Sequence, residues 1–492
     1  MNTLIRYTLC TTLLLGAGTF AGCNKYLDIL PESQYTAGTA KTETEFKLAV
    51  LGAYGTLRNV YTDYVPENLE CHSDDANADN PGNQMAFAQF TLDAAHVDLN
   101  YFWQRFFVTI NNCNTVLTQI DQANFNEQMK KAIKGEALFI RGFCYFQLGW
   151  QFGGVPLIDK TMSVEEVRKV KRSTQDGTLD FAANDLKTAV DLLPEAWGTA
   201  DLGRATRYAA KGVLAKLHLF RKKYTDARPL LEDILQSGKY QLYPNFKDAF
   251  TDANNNGPEH IFQLQHKSGT GMGQGNALIY SYVPQDILSP MFPNGGRSTW
   301  PHLSRELYEI YEAGDVRRDI TIQKGYRTTS QLLDTASIMF VKFAWGTIPL
   351  SKEDYAVNKP ILRLADVKLM YAEVLNELGY AAGGEAFKQL NDIRVRAHVN
   401  AYTATDLPGQ AAFRDALFLE RRRELAGEFN RWFDIVRQGA DKAVAIMNAH
   451  FSRADQGSGR YSMKPYMVVF PIPQYELNTN PDKNVIWQND GY

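Results

Sequence analysis

Apolar residues recur every three or four positions through much of this 492-residue chain, which is the period of an amphipathic α-helix. The clearest stripe lies at residues 131–151 and consists of Ile133, Ala137, Ile140, Cys144 and Leu148. Gly153, Gly154 and Pro156 follow it, and these residue types commonly end helices. Similar stripes predict helices at 43–59, 97–120, 176–193, 205–221 and 226–237. The fold class predicted is therefore mainly α.

The helices predicted at 205–221 and 226–237 match a more specific pattern. Large and small residues alternate there as in a tetratricopeptide hairpin, at Leu214, Ala215, His218, Ala227 and Leu231. Small residues matter because the two helices of such a hairpin cross closely. Ala372, Leu375 and Ala386 repeat part of the pattern. No strict 34-residue period runs through the chain, so we expect helical hairpins within a larger frame rather than a regular solenoid.

Residues 243–358 have a different character, because Asn, Gly, Pro and aromatic residues are dense there. Helical periodicity remains only at 304–311, and the short apolar runs 261–264 and 338–343 predict strands. Long loops on a rigid frame are where binding residues concentrate. We therefore expect a ligand surface in this region and in the earlier polar loop.

The N-terminus is typical of an exported bacterial protein. Arg6 precedes an apolar stretch at 9–20, which is too short to be a permanent membrane span. Ala21, Gly22 and Cys23 then resemble the lipobox of bacterial lipoproteins, in which the signal is cut before the cysteine and the cysteine is acylated. The sequence thus predicts a signal peptide at 1–22 and a lipid anchor on Cys23. The alternative is a soluble exported protein with a chance cysteine.

Composition and motifs restrict the chemistry. A formal net charge of −3 gives no indication of a nucleic-acid partner. The cysteines Cys71, Cys113 and Cys144 show neither CxxC nor metal-ligand spacing, so we interpret them as structural. No GxSxG, HExxH or GxxxxGK[ST] motif is present. The sequence therefore predicts a protein that is not an enzyme and that binds no cofactor.

Two polar runs imitate calcium loops. The first begins at Asp75, but Asn80 replaces the turn glycine and Ala86 replaces the bidentate glutamate. The second begins at Asp252 and has the turn glycine at Gly257, but Gln263 stands where the bidentate glutamate should be. We interpret both as polar loops, with calcium as the less favoured alternative.

A charged run at 420–437 alternates acidic and basic residues at helical spacings. It also contains Leu425, Phe429, Trp432 and Phe433, which indicates that part of the segment faces a core. We interpret it as a set of structural ion pairs rather than an anion-binding face.

Seven or so blocks of the sequence, taken together and in order, resemble the SusD/RagB family of bacterial surface lipoproteins. The blocks are CNKYLDILP at 23–31, EALFIRGFCYF at 136–146 with GGVPL at 153–157, ATRYAA at 205–210 with GKY at 238–240, PEHIF at 258–262, LRLADV at 362–367, NDIRVRA at 391–397, the charged run at 420–437, and the closing PIP at 471–473 with the final residues to Tyr492.

This resemblance implies one SusD-like body at 23–492, with a helical frame over about 40–240 and 360–440 and a ligand region over about 64–95 and 243–358. The frame would pack on a SusC-like TonB-dependent barrel of the outer membrane. The protein would be lipid-anchored, would face the cell exterior, and would act as a lid that captures an oligosaccharide and delivers it to the barrel.

Sugar binding needs exposed aromatic platforms with amide, carboxylate or guanidinium groups at their edges. Two loops have this composition, at 64–89 and 274–302. The predicted ligand contacts are Asn68, Asp74, Asp75, Asn77, Asn80, Asn83, Tyr280, Tyr282, Phe292, Arg297 and Trp300. Trp103 and Trp432 lie on predicted helices, and we expect both in the core.

Two other functions remain open. A RagB-like peptide-binding protein would use backbone-pairing edges rather than aromatic platforms. A surface glycosidase would need two carboxylates separated by roughly 5 to 10 Å in a cleft of the loop region.

Overall fold

The computed structural model describes residues 40–62, 65–78, 83–271, 273–284, 302–327, 333–351, 353–456 and 458–492. The predicted signal peptide and lipid anchor lie outside these ranges. So do four of the predicted ligand contacts: Asn80, Phe292, Arg297 and Trp300.

Helices make up most of the N-terminal half of the described chain. They are α1 (Glu43–Thr62), α2 (Val65–Cys71), α3 (Asn83–Ala88), α4 (Val97–Gln119), α5 (Glu127–Phe152), α6 (Val164–Val167), α7 (Gln175–Leu192), α8 (Arg207–Phe220) and α9 (Tyr224–Gln236). Several begin at a polar residue whose side chain accepts a hydrogen bond from the first turn, such as Asn126 before α5, Thr174 before α7 and Thr206 before α8. Such caps fix where each helix starts.

The described residues contain six short strands, which form three separate antiparallel pairs. They are β1 (Ala76–Asn77), β2 (His260–Leu264), β3 (His302–Leu303), β4 (Ile322–Arg327), β5 (Leu333–Phe340) and β6 (Lys359–Arg363). The pairs are β1 with β3, β2 with β6, and β4 with β5. The first and second pairs join segments that are far apart in the sequence, so they tie the loop-rich region to the helical frame.

The remaining helices lie in the middle and C-terminal parts of the chain. They are α10 (Leu278–Ser281), α11 (Arg305–Glu309), α12 (Val316–Thr321), α13 (Leu364–Leu378), α14 (Glu385–Arg396), α15 (Gln410–Leu425), α16 (Arg431–Val436), α17 (Ala440–Ser452) and α18 (Gln474–Thr479). Helices α8 and α9 pack as a hairpin, and α13 and α14 form a second one. Both hairpins lie at the positions that the sequence pattern predicted.

Close helix packing depends on glycine in α5. A Cβ atom at Gly142 would lie 2.9 Å from the Leu186 side chain, and one at Gly149 would lie 2.9 Å from Leu179. Only glycine therefore lets α7 approach α5 at this distance. The long stripe of α5 is buried in a core that also includes residues of α1, α4 and α8. A second core cluster is formed largely by α13, α14 and α15.

The prediction of a mainly helical fold is confirmed. Helix α5 extends one turn further at its N-terminus than the apolar stripe, because Asn126 provides the cap. Trp103 and Trp432 are buried as expected, and Cys71, Cys113 and Cys144 are buried as well. Within the described ranges, no helix combines the length and the apolar character that crossing a bilayer requires.

Candidate functional site

The two loops predicted to bind ligand are joined by backbone hydrogen bonds. Strand β1 of the first loop pairs with β3 of the second, with Ala76 opposite Leu303 and Asn77 opposite His302. The Ser304 N–H donates to the Asp75 carbonyl oxygen over 2.8 Å. We name residues 72–78 and 302–304 the rim. The fold therefore brings together two segments that are more than 200 residues apart in the sequence.

Ser304 has a double role in the rim. Its hydroxyl donates to the Asp74 carbonyl oxygen over 2.6 Å and accepts from the Leu307 N–H over 3.1 Å. The second bond caps α11, so this helix begins at the point where β3 ends. One side chain thus fixes the junction between the two loops and the start of the next helix.

Two aspartates attach the rim to α15 and α16. The Asp74 carboxylate accepts two hydrogen bonds from Arg431, of 2.6 and 2.8 Å. Asp75 accepts a hydrogen bond of 2.6 Å from Nε of Arg422, whose Nη1 also lies 3.0 Å from Asp74. All four side chains are buried. Such bidentate, charge-assisted contacts hold a loop in one geometry.

Burial raises the pKa values of these two carboxyls, whereas the neighbouring arginines lower them. Burial of Asp74 opposes its ionisation, but Arg422 and Arg431 outweigh that effect and hold its pKa well below the usual range. Burial dominates at Asp75, where the pKa is raised in spite of Arg422, and the neighbouring Asp74 charge adds to the rise. The two adjacent carboxyls therefore have different environments.

Four of the predicted ligand contacts need correction. Asn68, Asp74, Asp75 and Tyr282 are all 2% exposed or less. Asn68 donates to Asp98 over 2.8 Å, the two aspartates are held by arginines, and the Tyr282 ring packs 5.2 Å from that of Phe340. A side chain without exposed atoms cannot contact a ligand at the surface. We assign these four residues to the support of the loops.

Three predicted contacts retain exposed surface. Asn77 and Tyr280 are partly exposed, and Asn83 is exposed. Asn83 donates to Asp98 over 3.1 Å, which orients its side chain. The Asn77 amide donates to the side-chain oxygen of Gln456. Amide and phenol groups of this kind can donate to and accept from sugar hydroxyls.

Sequence reasoning did not identify His302 and Gln456 as site residues. His302 is partly exposed in β3, opposite Asn77, and Gln456 follows α17. The strand pairing of His302 with Asn77 has no local sequence signal, because it joins distant segments. Gln456 lies 379 positions from Asn77, so only the folded chain could reveal it.

The charged run at 420–437 is structural, as predicted. Arg421 contacts Asp366 at 2.8 Å and Asp434 at 2.9 Å, while Arg437 binds Glu373 and Asp434. These side chains are buried, and each charge is matched by a partner of opposite sign. The same run supplies Arg422 and Arg431 to the rim, so the core network and the rim are continuous.

In each calcium-like run, a carboxylate oxygen of the first aspartate is bound to a protein donor. Asp75 Oδ1 accepts from Arg422, and Asp252 Oδ1 accepts from the Thr347 N–H over 2.9 Å. In the part of the chain that the structure describes, no three His, Cys, Asp or Glu side chains cluster as metal ligands.

Comparison with known proteins gives family matches along almost the whole chain. Residues 237–492 match the model of the SusD family, and residues 25–219 match a SusD-like model described as starch-binding and associating with the outer membrane. A curated relative, SusD-like protein P25 of Formosa agariphila, is 26% identical over 513 aligned positions that cover 93% of this chain and 94% of the relative.

Solved structures show the same fold. Surface glycan-binding protein A from Bacteroides fluxus superposes with a TM-score of 0.79 at 23% identity, covering 92% of this chain and all of that one. A laminarin-binding SusD-like protein superposes with a TM-score of 0.75 at 25% identity, with the same coverage.

Proposed function

Because this chain belongs to the SusD family, we propose that it is a surface protein that captures an oligosaccharide at the rim and delivers it to a SusC-like TonB-dependent transporter. Capture needs no bond cleavage. The observation that carries the proposal is the pairing of β1 with β3, since it unites the two loops whose composition suits sugar binding.

The groups around the rim support a polyhydroxyl ligand. Asn77, His302 and Asn83 offer hydrogen-bond donors and acceptors at partly exposed positions. The rim carboxylates Asp74 and Asp75 are buried in arginine pairs, an arrangement that does not suit acid–base catalysis on a bound sugar. Binding therefore accounts for this surface better than glycoside hydrolysis.

The names of similar proteins agree with this role. The Bacteroides fluxus protein is called a surface glycan-binding protein, and another is called laminarin-binding. We propose a glycan ligand for this chain on that basis, with Trp300 and Phe292 as aromatic platforms and Arg297 as a hydrogen-bonding group at their edge.

We further propose that acylated Cys23 anchors the protein in the outer membrane, facing the exterior. A Cys23→Ala variant expressed in the native host should leave the membrane fraction, whereas a Cys71→Ala variant should remain there. Mass spectrometry should find acyl chains on the N-terminal Cys23 of the mature wild type, and a mature protein whose Cys23 carries none would contradict the anchor.

Function is tested by probing a glycan and peptide array with residues 24–492 of the protein. Trp300→Ala should lose binding if Trp300 is a platform. Tyr475→Ala is the matched control, because Tyr475 is an aromatic side chain that is 57% exposed on α18. Its removal should leave binding unchanged.

The array separates the remaining functions. Binding to one polysaccharide class, lost in Trp300→Ala and kept in Tyr475→Ala, supports the proposal. Binding to peptides alone would replace it with a RagB-like peptide-capture role. Shortening of the glycans during incubation would indicate a glycosidase.

A further inference from the structure

Two buried carboxyl groups, one in α2 and one in the rim, each have an oxygen without a hydrogen-bond partner among the described residues. Glu70 lies in the last turn of α2, and Asp75 precedes β1; they are 1% and 0% exposed. Glu70 Oε1 accepts from the Gly427 N–H over 2.9 Å, and Asp75 Oδ1 accepts from Arg422. Glu70 Oε2 and Asp75 Oδ2 have no hydrogen-bond partner among the residues described. An unsatisfied buried oxygen is costly, so this pair requires an explanation.

The Ser73 side chain links the backbones of the two residues in one turn. The Ser73 hydroxyl donates to the Glu70 carbonyl oxygen over 2.7 Å and accepts from the Asp75 N–H over 3.1 Å. Among the charges around the Glu70 carboxyl, that of Asp75 has the largest effect on it. In a dry interior, two interacting carboxylates that are both ionised repel each other strongly.

Nearby cations do not neutralise Glu70 by direct contact. Lys342 donates to the carbonyl oxygens of Glu424 and Ala426 and to Glu428. Lys359 lies against two aromatic rings, 3.5 Å from the centroid of Phe429 and 4.5 Å from that of Tyr61.

The two arginines near this turn are also engaged. Arg431 is paired with Asp74, and Arg422 is shared by Asp74, Asp75 and Glu306. These two arginines already face three carboxylates, so neither has charge to spare for Glu70.

We propose that Glu70 and Asp75 share one proton, which links α2 to the base of the rim, and that losing this proton at alkaline pH loosens the rim. The bond runs from Glu70 Oε2 as donor to Asp75 Oδ2 as acceptor. On deprotonation the proton leaves to solvent, and two adjacent negative charges remain below β1. The rim would thus be a pH-sensitive part of the fold, whatever ligand it binds.

The electrostatics agree with this arrangement. Burial first, and then the Asp75 charge, raises the pKa of Glu70 from 4.5 to about 8, although Lys342 and Lys359 oppose the shift. The folded state therefore holds the proton at pH values where the unfolded chain has lost it. Its contribution to stability is complete below pH 4.5 and falls as pH rises towards about 8.

Glu70→Gln tests the proposal, because a glutamine amide can donate to Asp75 permanently while its oxygen still accepts from Gly427. The unfolding constant of the wild type, relative to that of Glu70→Gln, should rise about tenfold per pH unit between pH 5 and about 8. Groups that titrate in the same way in both proteins cancel when the wild type is compared with Glu70→Gln. Amide exchange at residues 72–78 should accelerate above pH 8 in the wild type, after correction for the intrinsic rate, and not in Glu70→Gln.

At pH 7 the infrared signal of protonated carboxylic acids should be weaker in Glu70→Gln than in the wild type by the contribution of one group. Two controls isolate the cause. Glu476→Gln removes another carboxyl whose pKa burial raises, and it should leave exchange at the rim unchanged. Lys359→Met removes the amine that lies against the Phe429 and Tyr61 rings, and the pH dependence should persist.

Three results would overturn the proposal. One is equal pH dependence in the wild type and Glu70→Gln. Another is loss of the pH dependence in Lys359→Met, which would mean that Glu70 is balanced by the amine. The third is a response to added metal chelator, which would place a cation between the two carboxyls.

Discussion

Arg431 holds Asp74 through two parallel hydrogen bonds, from Nε to Oδ1 over 2.6 Å and from Nη2 to Oδ2 over 2.8 Å. These residues are 357 positions apart. The contact fastens a loop near the N-terminus to a helix near the C-terminus, so the position of the rim depends on the C-terminal charged run.

Asp74→Asn should destabilise the protein by about 3–5 kcal/mol, because it leaves Arg431 and Arg422 with less than their full charge complement in a buried site. Equilibrium unfolding in urea measures this. Asp319→Asn is the matched control, since the Asp319 carboxylate pairs with Arg318 but is 73% exposed. It should change stability by less than about 1 kcal/mol. Equal effects at the two sites would contradict the anchoring role of Asp74.

Ser304→Ala should remove both the hydrogen bond to Asp74 and the cap of α11, at a cost of about 1–2 kcal/mol. Amide exchange at residues 75–77 should become faster. Ser163→Ala removes a comparable serine cap from α6, where Ser163 exchanges hydrogen bonds with Glu166. It should leave exchange at 75–77 unchanged, and an equal increase in both variants would show that the effect is not local.

Local patterns predicted most of the helices correctly. The apolar stripe of α5 and the turn after it are legible in sequence because they depend on residues within one helix. The alternation of large and small residues likewise predicted the α8–α9 hairpin. The observed helix ends differ from the predicted ones by one turn or less, where a cap such as Asn126 lies beyond the apolar stripe.

The site was predicted less well, because its composition has two physical explanations. A run of Asn and Asp in a loop suits a sugar, but it also suits anchoring to buried arginines. Asp74 and Asp75 follow the second explanation, and the deciding partners Arg422 and Arg431 lie more than 340 positions away. Sequence spacing alone carries no information on such contacts.

Gly154→Ala should be severely destabilising. A Cβ there would lie 1.8 Å from the Ser173 carbonyl oxygen, so the backbone must move. We expect a loss of several kcal/mol, as for other forced backbone shifts. Gly52→Ala in α1 meets nothing within 4 Å and should stabilise the helix by about 0.5–1 kcal/mol. Thermal denaturation of the two variants checks the contrast, and a loss in Gly52→Ala as large as that in Gly154→Ala would contradict it.

Asp366→Asn should show a pH-dependent effect. Burial opposes ionisation of Asp366, but Lys216 and Arg421 hold its pKa well below the ordinary 3.8. The stability that the ionised Asp366 carboxylate provides is complete above pH 3.8 and is lost as the pH falls below 3.8. The difference in unfolding free energy between the wild type and Asp366→Asn should therefore narrow by about 1.4 kcal/mol per pH unit below pH 4. A constant difference from pH 6 to pH 3 would contradict the assignment.

The central claim is that the two loops joined at β1 and β3 form one ligand surface. The most direct measurement is hydrogen–deuterium exchange with and without the polysaccharide selected by the array. The account predicts simultaneous protection of residues 72–84 and 302–304, with residues 160–172 unchanged. Protection of only one loop, or protection confined to segments away from the rim, would contradict it.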